Sequence, residues 1–550
     1  MKKTITSVFL ASAALILSAC GGNAPTSSPT PSTTSETPIE SSSVPVPSTE
    51  EKPTTSETPS TTSEEKPVPS ESSSSEEEQV AAYAKITLAD GATTIEGENH
   101  GVTLAGNVVT ITKKGTYDIF GTFTNGSIVV ASSVKGDVEL DLNGCSITRT
   151  GGAGTSAPIV NLSSYRMKVK KIKKTTSAII DNRTGDNGDP AAIYSKGEVG
   201  LVGKGTIEIT STYTSGTDVL GFGMASETYA YAKNGVQTIT SPGDCINARR
   251  SIIVGSPEDG GTFTFTSTSD HGLNVEEETA TAAAEGEFIG VKIQQGDYTV
   301  VTSNKAIDSQ YGLVIEEPAT YIDDAGEEQD SDKKTVGVFK STADNGATIE
   351  GDFTMTGGKV DIVSEASSKK GFNFKGKDFT MAGGQLTLTG ADDGLCAENA
   401  TGEITMNGGT LIIEAKKLKL ASGKSLIQNG GLAVVLGTKG DLPSVSGTQY
   451  SLGYAHSAGL ANPGLFKVSN AGKDYYIQPR IATAVKSLYL STPDMAAGEI
   501  SIATYTGATL VEENLIAPTV YTVAADLAGE TVIGTNTITA EAPHHTFTVA

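Results

Sequence analysis

The chain has 550 residues, enough for more than one domain, and its 64 acidic against 40 basic side chains give a formal net charge of -24. Such a surface repels phosphates, which excludes nucleic acid as a partner; a bare anionic polysaccharide is equally disfavoured unless cations or local basic patches bridge the contact. Only 37% of the residues are apolar and there is no tryptophan, but the N-terminal region dilutes that figure and the rest is long enough for a substantial core.

In chain order, the first element reads as an export signal. Lys2 and Lys3 form a basic start and Val8 to Leu17 an apolar stretch too short for a convincing membrane span. It ends in Leu17-Ser18-Ala19-Cys20, followed by two glycines. This resembles a bacterial lipobox: residues 1–20 form a lipoprotein signal peptide in which Cys20 becomes lipidated and the peptide before it is removed. No later segment reads as a span, so a lipid on Cys20 is the only membrane anchor expected. Residues 21–79 are Ser, Thr, Pro and Glu with almost nothing apolar, the composition of a disordered tether able to reach ~150 Å when extended. Localisation at the bacterial cell surface or outer envelope follows as an expectation. Cys145, Cys245 and Cys396 are an odd number without a CxxC, and read as small buried thiols.

From about residue 80 to 437 the pattern is short alternating strands broken by Gly, Asn and Asp. Phe353-Thr-Met-Thr-Gly-Gly-Lys-Val-Asp-Ile362 recurs at Phe379 to Leu388 and at Ile404 to Ile413. A degenerate copy runs from Leu426 to Val435, and looser ones cover Val199 to Ile209 and Val291 to Val300. A period of about 25 residues made of strands and turns predicts an all-β fold, a parallel β-helix, because one unit cannot bury its apolar side alone. A second column, Asp244-Cys-Ile-Asn247, His271-Gly-Leu-Asn274, Lys305-Ala-Ile-Asp308, Lys370-Gly-Phe-Asn373 and Asp393-Gly-Leu-Cys396, predicts a side-chain ladder of Asn247, Asn274 and Asn373, with Asp308 between, inside a turn. Three insertions interrupt the coils: an aromatic one at Tyr213 to Asn234, an Ala/Glu-rich one at Glu276 to Glu287 that could be a short helix, and an acidic one at Glu316 to Ala347 that could project as a hairpin. Residues 438–550 read as a β-rich segment that caps the open end.

Together, Gly115-Thr-Tyr-Asp-Ile-Phe-Gly121, Ser127-Ile-Val-Val130, Leu140-Asp-Leu-Asn-Gly-Cys-Ser-Ile-Thr148, Ala191-Ala-Ile-Tyr-Ser-Lys196, the TMxGG rungs and Asp392-Asp393-Gly394 carry a resemblance. Over roughly residues 85 to 500 the chain resembles the bacterial β-helical carbohydrate-binding domain proteins, similar in fold to family-nine polysaccharide lyases. The resemblance implies a right-handed helix, export, binding of plant or acidic polysaccharide, and calcium held by turn carboxylates. Only Asp392-Asp393-Gly394 keeps the Asp-Asp-Gly turn; other coils carry Asp244, Asp270-His271, Asn304-Lys305 and Lys369-Lys370 at that place.

Calcium takes six to eight oxygens, so Asp392 and Asp393 with Glu398 are the first candidate ligands, and Asp244 and Asp270 weaker ones, each set against a solvated polar turn. The acidic run from Asp323 to Asp332 lacks the spacing of an EF-hand loop. For sugar contact the candidates are Tyr213, Phe222, Tyr229 and Tyr231 as ring faces, and Lys305, Lys369 and Lys370 as cations that hold an acidic sugar or pair with neighbouring carboxylates. Alternation places Arg166, Lys168 and Lys170 on one side of a strand, where they track uronate carboxylates or form a solvated face. The function expected is non-catalytic polysaccharide binding. The alternatives are a structural or adhesive surface protein, and a calcium-dependent polysaccharide lyase with Lys370 as base; the sequence leaves the oligomeric state open.

Overall fold

A computed structural model describes residues 81–550 except 153, 186–187, 216–218, 277–286, 324, 399, 461–464, 480–483, 506, 511–519, 522–523, 541 and 550. Cys20, the signal-like stretch, the 21–79 tether, Asp324 and most of the Glu276 to Glu287 insertion lie outside the described residues.

The fold is an all-β parallel β-helix with three strands per coil. The first face runs from Ala82–Leu88 and Gly115–Phe123 through Met167–Lys171, Tyr229–Ala232, Phe353–Met355 and Phe379–Met381 to the first half of Ile404–Ala415. A second face holds Thr176–Arg183, Val236–Ser241, Thr262–Ser267, Lys359–Ser364 and Gln385–Thr389, among others. The third face is a separate 13-stranded sheet that includes Ile246–Ala248, Leu273–Val275, Phe372–Phe374 and Asp393–Ala397.

Alternation builds each face. In Thr262–Ser267 the phenylalanines point inward and are fully buried, while the threonines between them face outward. Met355, Met381 and Met406 pair in register and are all buried, so the repeat reads out as one interior stack. Phe353 and Phe379 stack beside them with ring centroids 4.4 Å apart. The Gly-Gly step turns the chain from the first face to the second. Gly358, Gly384, Gly409 and Gly431 all take positive φ, between 75° and 86°. A Cβ on Gly383 would lie 2.2 Å from the Thr356 carbonyl oxygen of the coil before. The first glycine therefore serves close approach and the second the left-handed backbone.

Both ends are finished by antiparallel pairing. Thr94–Glu96 pairs antiparallel with Ala82–Leu88, and Val102–Ala105 with Val108–Ile111. At the other end Leu426–Gly437 pairs antiparallel with Val485–Ser491, which pairs antiparallel with Ser451–Leu460. Val434, Leu436, Leu488, Phe466 and Ile500 close a second core there, under a five-stranded sheet.

The predicted asparagine ladder is corrected. The column runs Asn247, Asn274, Asp308, Thr348, Asn373, Cys396, and it lies on strands of the third face rather than in a turn. Its amides do not bond one another: Asn247 and Asn274 both donate to Asp244 Oδ2 at 2.8 Å. Cys145, Cys245 and Cys396 are buried free thiols, and burial pushes Cys145 up to about 12.

Candidate functional site

Two surfaces gather the chemistry-bearing side chains. The first is a groove of about 700 Å³ on the outer side of the first face. In-register pairing sets Glu139, Lys168, Gly200, Tyr231 and Ile253 in one outward column, one residue per coil. Gly200 decides the shape of this column. A Cβ there would sit 1.8 Å from the Tyr231 ring, so the ring takes the space over the Gly200 backbone and lines the groove. Tyr229 stands two residues before it on the same strand and accepts a hydrogen bond from Arg250 Nε at 3.2 Å. Lys233 Nζ lies 5.3 Å from the Tyr231 ring centroid.

The opposite wall is supplied from far along the chain. Thr320–Ile322 and Glu328–Asp330 form an antiparallel hairpin, as expected for the acidic insertion, and its Tyr321 and Ile322 line the groove. Ser331 Oγ donates to the Pro257 carbonyl at 2.5 Å, which ties the hairpin base to the loop beside the groove. Ile322 is 66% exposed, a large apolar side chain left open to solvent.

The basic row lines the same groove, but its charges are matched. Arg166 bonds Asp137 and lies 3.8 Å from Glu198; Lys170 bonds Glu139 at 2.7 Å and Asp141 at 3.3 Å. Burial, opposed by Lys170 and aided by Glu139, raises Asp141 to about 6. Lys171, in the same run, is buried instead: its Nζ donates to the Lys233 carbonyl at 3.1 Å, and burial lowers it to about 7.

The four aromatic candidates do not form one platform. Tyr213 is 2% exposed and covered by the Arg183 guanidinium 4.8 Å from its ring centroid, which corrects its role as a sugar-facing ring. Phe222 lines a second concavity of about 480 Å³ on the third face, with Tyr194, Arg249 and Asn247. Tyr229 and Tyr231 belong to a regular first-face strand rather than to an insertion. Sequence reasoning missed Gly200, Tyr321 and Ile322. The available signals were a glycine inside an apolar strand run and an aromatic–aliphatic pair inside an acidic segment.

The second surface is the corner between the second and third faces, which holds the remaining candidates. Lys305 donates to Asp308 at 2.6 Å, Lys369 to Asp344 at 2.6 Å, and Lys370 to Asn373 Oδ1 at 3.2 Å. Each of these cations is engaged within the protein. Burial opposes the charge of Asp344, yet Lys369 holds it below the usual carboxylate range.

The calcium candidates divide into two groups on coils roughly 20 Å apart at the usual strand spacing. In the first, Asp392 accepts from Lys416 at 3.1 Å, and Glu398 from Lys419. Asp393 is 2% exposed with an unpartnered Oδ1, and burial and Asp392 raise it. In the second, Asp244 Oδ1 and Asp270 Oδ1 lie 3.0 and 2.9 Å from His271 Nδ1. Among the described residues, Asp244, Asp270 and His271 are the group whose ligand atoms lie within 4.8 Å of one another. Burial would lower His271, but these two carboxylates raise it to about 10, so the imidazolium is itself the cation between them. One orphaned oxygen in the first group, and a protonated nitrogen in the second, do not make the oxygen shell that calcium takes. The residues present do not fit that metal.

The sequence model of a family described as "Carbohydrate-binding domain-containing protein" matches residues 105–394, more than half of the chain. A protein of that description from Acetivibrio thermocellus is 28% identical over 122 residues, 21% of this chain and 41% of the relative, so the match spans less than half of the relative's length. A solved structure, the polysaccharide lyase-like protein from C. thermocellum as a gadolinium derivative, is 18% identical, with a TM-score of 0.37 over 55% of this chain and 97% of that one.

Proposed function

Because the chain belongs to the carbohydrate-binding domain-containing protein family, we propose that it binds polysaccharide without cleaving it, in the groove on the first face. One observation carries the reading: the Tyr231 ring is held over the Gly200 backbone, between Lys168 and Ile253 of neighbouring coils. The C–H side of a pyranose packs on an open ring face, and the charged groups beside it donate and accept from hydroxyls. Coils about 4.8 Å apart repeat at close to the length of one sugar unit, so a chain lying along the helix axis meets one outward side chain per residue. Beyond Tyr231 the column continues through Ile253, Lys292, Val314, Thr354, Thr380 and Thr405.

The proposed ligand is a plant-type polysaccharide. Uronate units are accommodated where Lys168 exchanges Glu139 for a sugar carboxylate, with Lys233 beside the Tyr231 ring as a further cation. The protein is proposed to act at the cell surface, held there by lipid on Cys20. A glycan array probed with the wild-type protein and with Tyr231→Ala tests the binding reading. Polysaccharide signals in the wild type that fall about tenfold in the variant support it. Equal signals in both proteins, or no glycan bound by the wild type, overturn it.

A further inference from the structure

We infer that the corner between the second and third faces carries its own cations, lysine side chains, in place of calcium, so that the fold and its sugar contact work without the metal. The argument starts from register. Main-chain bonds join Asn304 N to Asp270 O at 3.2 Å, Asp392 N to Lys369 O at 2.9 Å and Lys416 N to Asp392 O at 2.8 Å. These corner residues therefore sit above one another on successive coils. Like charges repeated at that spacing repel, and a dication is one way to hold them together.

Here the column alternates instead. Lys369 reaches back one coil to Asp344 at 2.6 Å, and Lys416 reaches back one coil to Asp392 at 3.1 Å. Nearer the N-terminus, His271 bridges Asp244 and Asp270 at 3.0 and 2.9 Å, and Asn304 donates to Asp270 at 3.3 Å. Asp244, Asp270, Asp344 and Asp392 thus each have a counter-charge or donor from their own or the next coil, while Asp393 keeps one buried oxygen unpartnered. A single-charged side chain tethered to the backbone does the work of a bound ion, without the entropy cost of capturing one.

The inference is independent of the groove, so its test reads stability first. Thermal midpoints of the full-length protein are measured in EGTA and in millimolar calcium, for the wild type and for Lys369→Met/Lys416→Met. We expect an unchanged wild-type midpoint. The variant, with Asp344 and Asp392 left without their lysine counter-charges, should have a lowered midpoint in EGTA that calcium raises by about 2 °C. A wild-type midpoint that rises in calcium overturns the inference, and so does a variant indifferent to the metal. If the double variant does not fold, Lys416→Met alone is used with the same outcomes. Terbium luminescence gives a second readout: saturable binding by the wild type overturns the inference, and binding acquired only by the variant supports it. Polysaccharide binding retained in EGTA but lost in Tyr231→Ala separates a failure here from a failure of the groove.

Discussion

The Tyr231 ring rests on the backbone of Gly200 one coil earlier, and no side chain fits between them. Gly200→Val should therefore displace the ring from its place over that backbone. We expect polysaccharide binding to weaken about tenfold, comparable with Tyr231→Ala, at a small cost in stability. Isothermal titration against a polysaccharide identified on the array checks this. A Gly200→Val variant that binds as the wild type does would show that the ring pose is irrelevant.

Arg183 and Asp181 form an ion pair, both side chains fully buried, with Arg183 also donating to the carbonyls of Thr155 and Asp189 at 2.9 Å. Arg183→Met leaves the carboxylate buried and unmatched. The expected loss is about 3–5 kcal/mol, read from urea unfolding. Adding Asp181→Asn should recover part of it, because the stranded charge is then removed.

Lys171 gives a pH dependence. Its folded value of about 7 lies below the ordinary lysine value, so the unfolded chain holds more protons between pH 7 and about 10.5. Its contribution to stability therefore rises with pH across that window. Lys171→Met should be more stable than the wild type near pH 7, with the difference shrinking towards pH 10. Chemical denaturation at several pH values measures it; a difference that does not change with pH refutes it.

Gly384 combines a φ of 75° with carbonyl oxygens of Gly357 and Gly358 within 2.8 Å of any added Cβ. Gly384→Ala should cost more than the ~1 kcal/mol of left-handed strain alone, since backbone rather than a flexible side chain must move. Gly423→Ala is the control, with a φ of 75° but nothing within 4 Å of the added atom. Thermal midpoints should fall clearly further for Gly384→Ala than for the control.

The stacked coils were legible because one periodic signal, apolar alternation around Gly-Gly, repeats often enough to fix register; Met355, Met381 and Met406 lie where that signal places them. The site was less legible. A repeat says which residues share a column, but not which way long side chains reach, so Lys369 reads equally as a sugar-holding or a paired cation until Asp344 one coil back is seen against it. Tyr213 and Tyr231 have equal standing in the sequence, yet a buried arginine covers one, while the other lies over a glycine at the groove. Tyr321 and Ile322 reach the groove by folding back across several coils; their apolar pairing inside an acidic segment marks them, but not the distant surface they meet.

The strand Val485–Ser491 lies on the second face's last coil and runs opposite to it. A second molecule arriving there meets a neighbour of the wrong polarity and has no way to continue the winding. The number of turns is thus a property encoded in each single polypeptide. Filament growth by end-to-end addition has no starting template on that face, even at high protein concentration.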